Sequence, residues 1–456
     1  MKQILVLGAG QSSPYLISYL LKNAEENDWF VTVGDIDLEL AHKRVLDHHR
    51  GNVIKFDVND ETLRRTHIQK ADVVINMLAP TFQFLIALDC IHYGKHMISA
   101  SYQDKKIPTL CLDANRKGIL VLNEMGLDPG IDHMSAMSLV DKIKERGGSI
   151  SSFQSYGGGL PAPEVATNPL RYCITWNPRN IVQSGEEGAQ YIEKGKIRIL
   201  PHHQVFQRTW TVEIDGLGPF EAYPNRDSII YRSIFGLKKV HTMIRGTLRY
   251  PGWSETWQQI VKLGLPNETL TIPFLKNRTY RELTEMFLPL NLSGTNLEQR
   301  LANFLNISPT GKIMDNLKWL GLFSDEKINS KSRTASEVMI NLLKKRLQLP
   351  EGMRDMVIIY HEIEAHFPEE NNRREKIIST FIDYGEPNGF TAIAKSVGLP
   401  AAIAAKLLLN NQLPLTGCHI PTHPTIYTIV LKELVNAGLK FTEKIVPINN
   451  KKNHSH

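Results

Sequence analysis

The sequence has few cysteines, no long unbroken apolar run and no block of one charge, and each scarcity narrows what the chain can be. Four cysteines in 456 residues (Cys90, Cys111, Cys173 and Cys418) are widely spaced and form no C-x-x-C pair. That pattern fits a reducing compartment and argues against structural zinc. No apolar run approaches the roughly 18 residues of a membrane span, so a soluble protein with no membrane partner is expected. MKQILVLGAG leads directly into a strand and a glycine turn, leaving no room for an export signal. The expected location is cytoplasmic. The 53 basic residues are interleaved with 47 acidic ones for a formal charge of +6, without an arginine-rich helix or an aromatic platform. Nucleic acid is therefore not expected as a partner, and the modest excess suits an anionic cofactor and a carboxylate substrate.

The chain is too long for one hydrophobic core, so two or three domains are expected, with a ligand cleft where they meet. From Gln3 to Leu122, short runs (ILVLG, FVTVG, VIKF, VVINM, MISAS, ILVLN) alternate with helical stretches. Strands apolar on both faces and separated by helices predict a Rossmann-like, doubly wound parallel sheet over residues 1–130. A second α/β domain is expected over 131–257 and 350–415. ISSFQSYGGGLPAPE reads as a strand entering a shaped Gly/Pro loop. Residues 258–349 read as a helical insertion, with capping boxes at Thr279/Glu282 and Thr334/Glu337. Residues 416–456 are expected to hold a helix and tail packing back on the core, ending in KKNHSH, which reads as a solvated end or, more sharply, a metal-binding His cluster.

Gly8, Gly10, Gln11, Ser12 and Ser13 follow the first strand and open a helix with Pro14 in its first turn. Backbone N–H groups and the helix dipole can cradle a pyrophosphate there, although Ser13 replaces the third glycine of the fingerprint. Asp35 ends the second strand, where a carboxylate accepts ribose hydroxyls and repels a 2′-phosphate; Asp37 reads equally as a helix cap. NAD is therefore expected as cofactor, with NADP as the alternative. Asp57 ends the third strand, beside either the adenine or a cap. The later strand ends bring Ser101, Tyr102 and Asp128 to one edge, a hydroxyl, a phenol and a carboxylate where chemistry is expected.

At GLDPGIDHM the chain resembles the saccharopine dehydrogenase (L-glutamate-forming) family, also called saccharopine reductases. The similarity continues through SYGGGLPAPEVATNPLRY, TWNPRN, AYPNRDS, RGTLRYPGW and GCHIPTHPTIY. The resemblance implies a homodimer and a reaction of lysine metabolism, in which saccharopine, NAD(P)+ and water give L-glutamate, 2-aminoadipate 6-semialdehyde and NAD(P)H. By motif, Gly10 to Ser13, Asp35, Ile36, Asp37, Asp57, Val58, Met77, Ala100, Ser101, Leu127, Asp128, Pro129 and Trp176 correspond to cofactor contacts. Ser101, Tyr102, Asp128, Arg226, Thr247, Leu248 and Arg249 correspond to substrate contacts. One departure stands out: fungal members that use NADPH look basic at the end of the second strand, whereas here Asp35 has no arginine near it in sequence before Arg44.

The residue types fit that chemistry. A secondary amine must lose a proton before it gives up hydride, and the leaving nitrogen must regain one, so Asp128 and Tyr102 are the candidates for catalysis. Arg226 and Arg249 have the forked donors that carboxylates need. No metal is expected: His133, His419 and His423 read as structural, since Pro421 and Pro424 break any helical ligand spacing. Two other functions remain open, a reductive-condensing dehydrogenase of polyamine metabolism and a non-catalytic NAD-binding redox sensor.

Overall fold

The β-branched runs of the first 122 residues become six short strands, β1 (Lys2–Leu7), β2 (Trp29–Asp35), β3 (Gly51–Lys55), β4 (Val73–Asn76), β5 (His96–Ser99) and β6 (Leu120–Leu122). They come from a computed structural model that describes residues 1–329 and 331–448; the KKNHSH tail lies outside the described residues. The strand order is β3-β2-β1-β4-β5-β6, every pair parallel. A seventh parallel strand, Gly417–His419, adds beyond β6. The order reverses between β1 and β4, which is where a doubly wound sheet opens a ligand crevice at its carboxyl edge. Leu7 is in register with Gly34 on one side and Asn76 on the other, so the loops leaving β1, β2 and β4 start level.

Alternation along β1 sends Leu5 and Leu7 into a buried cluster with Ile68, Val74, Ile86 and Met97. Elsewhere in this unit, helix Pro14–Lys22 packs against helix Ala392–Leu409, so closely that a Cβ on Gly398 would stand 2.9 Å from Leu16 N. Ala392–Leu409 is long and apolar enough to cross a membrane by composition, with a mean hydropathy of 1.6, yet 78% of it is buried in the fold. Lys395 and Lys406 interrupt it, so it is not an unbroken apolar run. The helix is a core element.

The chain divides into two compact units, 1–149 with 365–374 and 381 onward, and 150–364 with 375–380. These limits differ from the expected 1–130, 131–257 and 350–415. Helix Ile131–Glu145 stays with the first unit, where it packs against helix Pro424–Asn436 and Tyr427 hydrogen-bonds to Asp141. Helix Ala392–Leu409 stays there too, for the packing just described.

In the second unit a mixed sheet is built from β7 (Ser149–Pro161), β8 (Ala189–Glu193), β9 (Lys196–Leu200), β10 (Trp210–Ile214), β11 (Gly218–Pro224), β12 (Thr242–Arg249), β13 (Asp355–Phe367) and β14 (Arg373–Tyr384). Its order runs β10-β11-β12-β7-β13-β14, with the β8–β9 hairpin joined to β12. The expected loop at YGGGLP is instead the end of β7. Gly158 is needed there for close approach, since a Cβ would meet Leu248 O at 2.9 Å. The 258–349 segment, read as a helical insertion into the second domain, is helical and lies within this unit. Thr279 and Glu282 complete their capping box; Thr334 caps Glu337 N, while the Glu337 carboxylate turns to Arg333 N instead.

One buried ion pair in the first unit tests how much a charge inside this sheet matters. Arg64 Nε lies 2.6 Å from Asp89 Oδ2, both side chains are 4% exposed, and Arg64 Nη1 donates to Val58 O at 2.7 Å. Asp89→Ala leaves that guanidinium buried beside one fewer carboxylate, and should lower unfolding free energy by about 3–5 kcal/mol in urea titrations. An unchanged midpoint would contradict this.

Candidate active site

The turn after β1 is shaped by two glycines with different duties. Gly8 has φ +103° and a Cβ there would stand 3.1 Å from the Met77 carbonyl, so only glycine lets the loops after β1 and β4 pass this closely. Around Gly10 the space is open, with nothing within 4 Å of a Cβ. Ser13, in the third glycine's place, is buried and its hydroxyl donates to Gly10 O at 2.9 Å, closing the turn. Among the described residues the N–H groups of Gly10, Gln11 and Ser12 have no protein acceptor. Three free donors at the start of helix Pro14–Lys22 form a seat for an anion.

Asp35 and Asp37 separate cleanly. Asp37 caps helix Leu38–Val45 by accepting from Leu40 N, so Asp35 is not needed as the cap. Asp35 Oδ2 accepts from Ala9 N at 2.6 Å and Oδ1 from Asp37 N at 2.9 Å, which ties the end of β2 to the glycine loop. A carboxylate has about four lone-pair sites, so two remain for a ligand. Ile36 is exposed beside it. Arg44, distant in sequence, folds back so that Nε donates to Ala9 O at 3.3 Å, and burial lowers its pKa. Asp57 accepts from Asn59 N, the capping-type alternative noted above, while Val58 is buried and fixed by Arg64.

At the other strand ends, Met77 N donates to Leu7 O at 2.8 Å. Ser101 and Tyr102 are held through their carbonyls by Gln83 Nε2, at 3.4 and 3.2 Å. Leu127, Asp128 and Pro129 lie in a tight loop in which Gly126 N donates to Pro129 O and Ile131 N to Gly126 O, both at 2.9 Å. Ala100 O would be 2.9 Å from a Cβ on Gly126, so this loop lies against the end of β5. Tyr102 Oη donates to Asp128 Oδ1 at 2.7 Å, which joins the two candidate catalytic groups in one hydrogen bond.

In the second unit the structure brings Arg249, Leu248, Thr247 and Trp176 into one neighbourhood and leaves Arg226 out of it. Arg249 is 6% exposed, with its guanidinium 4.8 Å from the ring centre of Tyr172, 5.6 Å from Trp253 and 5.9 Å from Tyr223. Its Nη1 donates to Leu248 O at 2.8 Å, its Nε has no partner, and among the described residues no carboxylate pairs with it. Trp176 Nε1 donates to Tyr172 Oη at 3.2 Å. Burial raises the pKa of Tyr172 and Tyr223, with Arg249 opposing; Tyr223 is also hydrogen-bonded to Thr247. Arg226 sits at the surface, paired with Glu187. Cys173 is buried and its thiol pKa is pushed up, which makes it unreactive. His423 caps helix Pro424–Asn436 and His419 bonds to Thr416 O. Among the described residues no group of three or more His, Cys, Asp or Glu side chains is arranged to hold a metal.

Family models place this architecture. Residues 4–122 match the saccharopine dehydrogenase NADP binding domain and residues 126–439 the saccharopine dehydrogenase C-terminal domain. The chain belongs to the saccharopine dehydrogenase family. Among members of that family, the Schizosaccharomyces pombe saccharopine dehydrogenase [NADP(+), L-glutamate-forming] is 30% identical over 98% of this chain and 99% of its own length. The mitochondrial alpha-aminoadipic semialdehyde synthase of Bos taurus is 33% identical, with this chain spanning 47% of it. The apo saccharopine dehydrogenase (L-Glu forming) of Saccharomyces cerevisiae superposes with a TM-score of 0.86 at 30% identity, covering 98% of this chain and all of that one. Homospermidine synthase from Legionella pneumophila, at 10% identity and a TM-score of 0.58, shares the fold alone.

Reading the family's motifs by sequence missed several residues that build the site. Tyr172 and Trp253 lie inside quoted motifs, but a buried aromatic reads first as core. Gln83 lies mid-helix with no motif of its own. Gly130, within GLDPGIDHM, has φ +145°, and a Cβ there would lie 2.1 Å from Gly126 O. Gly130→Ala should therefore destabilise the protein by more than about 3 kcal/mol through strain at this one turn, read as a fall in thermal midpoint. A wild-type midpoint would show that the turn adapts.

Proposed function

We propose that the chain oxidises saccharopine to L-glutamate and 2-aminoadipate 6-semialdehyde, with NAD as its preferred cofactor. Arg249 carries this reading. A buried guanidinium without a carboxylate partner is costly unless a ligand supplies the counter-charge, and saccharopine brings three carboxylates. A diamine-derived substrate would set ammonium against guanidinium, which disfavours a polyamine reaction.

The residues fit a dinucleotide: free N–H groups at Gly10, Gln11 and Ser12 for the pyrophosphate, and Asp35 for a ribose. When bound, its nicotinamide accepts hydride from the carbon beside the substrate's secondary amine. Asp128 accepts the amine proton so that the nitrogen lone pair can form the imine. Tyr102 serves as donor and orients Asp128 through their hydrogen bond. Water adds to the imine carbon, and as the carbinolamine collapses the departing glutamate nitrogen regains a proton from the same pair. Saccharopine, NAD+ and water thus become glutamate, semialdehyde, NADH and a proton.

The relatives' names specify NADP(+), so the preference for NAD rests on Asp35. Its carboxylate is fastened on both oxygens and cannot swing aside for a 2′-phosphate. The same reading makes the protein a cytoplasmic homodimer, consistent with four cysteines that are all unpaired.

With purified protein and saccharopine, absorbance of the reduced nicotinamide should rise with NAD and much less with NADP. Reduction only with NADP overturns the cofactor preference, and silence with both overturns the reaction. Arg249→Met should weaken saccharopine capture by about 2–5 kcal/mol and leave NAD binding intact. Equal loss of both, or of neither, would remove Arg249 from the substrate site.

A further inference from the structure

The loop that carries Asp128 is underlain by three buried titratable side chains that the reaction does not use. His133 is 0% exposed, Asp132 3% and Glu124 5%. His133 Nε2 lies 2.8 Å from Glu124 Oε2, and His133 Nδ1 lies 3.2 Å from Asp132 Oδ2. Each carboxylate uses its other oxygen on backbone. Glu124 Oε1 accepts from Gln103 N at 3.0 Å, immediately after Tyr102, and Asp132 Oδ1 accepts from Gly130 N at 2.7 Å, two residues after Asp128. We infer that His133 is a positioning residue for the Tyr102–Asp128 pair, acting through Glu124 on the segment that bears Tyr102 and through Asp132 on the loop that bears Asp128.

Two observations favour positioning over plain stability. Buried charged groups are seldom the most stabilising way to fill a core, because apolar side chains of like volume avoid the desolvation cost. Glu124 also holds a left-handed backbone with φ +62°, a conformation unfavourable for a side chain of its size and one that accumulates where geometry serves a site. The two segments it joins come from different strand ends, after β5 and after β6, and the Tyr102–Asp128 bond of 2.7 Å depends on their spacing. His133 approaches both carboxylates, one with each ring nitrogen.

This inference rests on Tyr102 and Asp128 serving the proposed reaction, so both are tested together. In His133→Gln, kcat should fall about 10- to 100-fold, the effect of a displaced catalytic group, while dinucleotide affinity and the KM for saccharopine change less than about twofold. Combined with Tyr102→Phe, the loss should be no greater than that of the worse single variant, since both act on one pair. A folded His133→Gln with wild-type kcat, or losses that multiply with Tyr102→Phe, overturns the inference. Should His133→Gln not fold, Glu124→Gln takes its place with the same expectations, and failure of both to fold overturns it in favour of a purely structural role. If Tyr102→Phe and Asp128→Asn keep full kcat, the assigned chemistry falls instead. If they lose activity while His133→Gln does not, only the positioning role falls.

Discussion

Every strand of the first sheet runs the same way, and the order turns back on itself between β1 and β4. Crossovers leaving those two strands must go to opposite faces, so a gap opens above their carboxyl ends that no helix can fill. Residues from strand ends far apart in sequence therefore face one another there. The glycine loop reaches it from β1, the carboxylate from β2, the phenol from β5 and the loop bearing Asp128 from β6. At Gly8 and Gly130 backbones pass close to one another, and both have conformations that a side chain would strain.

Charge inside this protein is treated in two ways. Arg64 is surrounded by what it needs, a carboxylate and a carbonyl, and in return fixes the turn at Val58. Arg249 has aromatic rings on several sides and one carbonyl, but among the described residues no carboxylate. Rings stabilise a cation without neutralising it, so Arg249 is held in place while its charge stays available. The difference between the two arginines is invisible in composition and plain in their surroundings.

Much of the sheet was readable from sequence because strands buried on both faces need unbroken β-branched runs, and those runs stand out between helical periods. In the second unit the strand opening ISSFQ was legible and is the start of β7. The β8–β9 hairpin was not, because KGK between polar flanks carries little periodicity, and the end of β7 was taken for a loop because GGG there serves a neighbour's approach rather than a turn. The boundary at residue 130 was placed at a change of pattern, whereas the fold groups helices by packing, a long-range property that local pattern does not carry. Within the site, the candidate residues at the strand ends came from motifs. Gln83 and Glu124 did not, and Tyr172 and Trp253 lie inside motifs yet look like ordinary core residues until their neighbours are known.

Asp35 does two jobs with one carboxylate. It is the carboxylate on which the proposed NAD preference rests, and it also accepts the Ala9 N–H that holds the glycine loop against β2. Replacing it with a neutral or basic residue to admit a phosphorylated ribose would release that N–H and loosen the turn that seats the pyrophosphate. A substitution at this position therefore alters the shape of the glycine loop as well as the local charge.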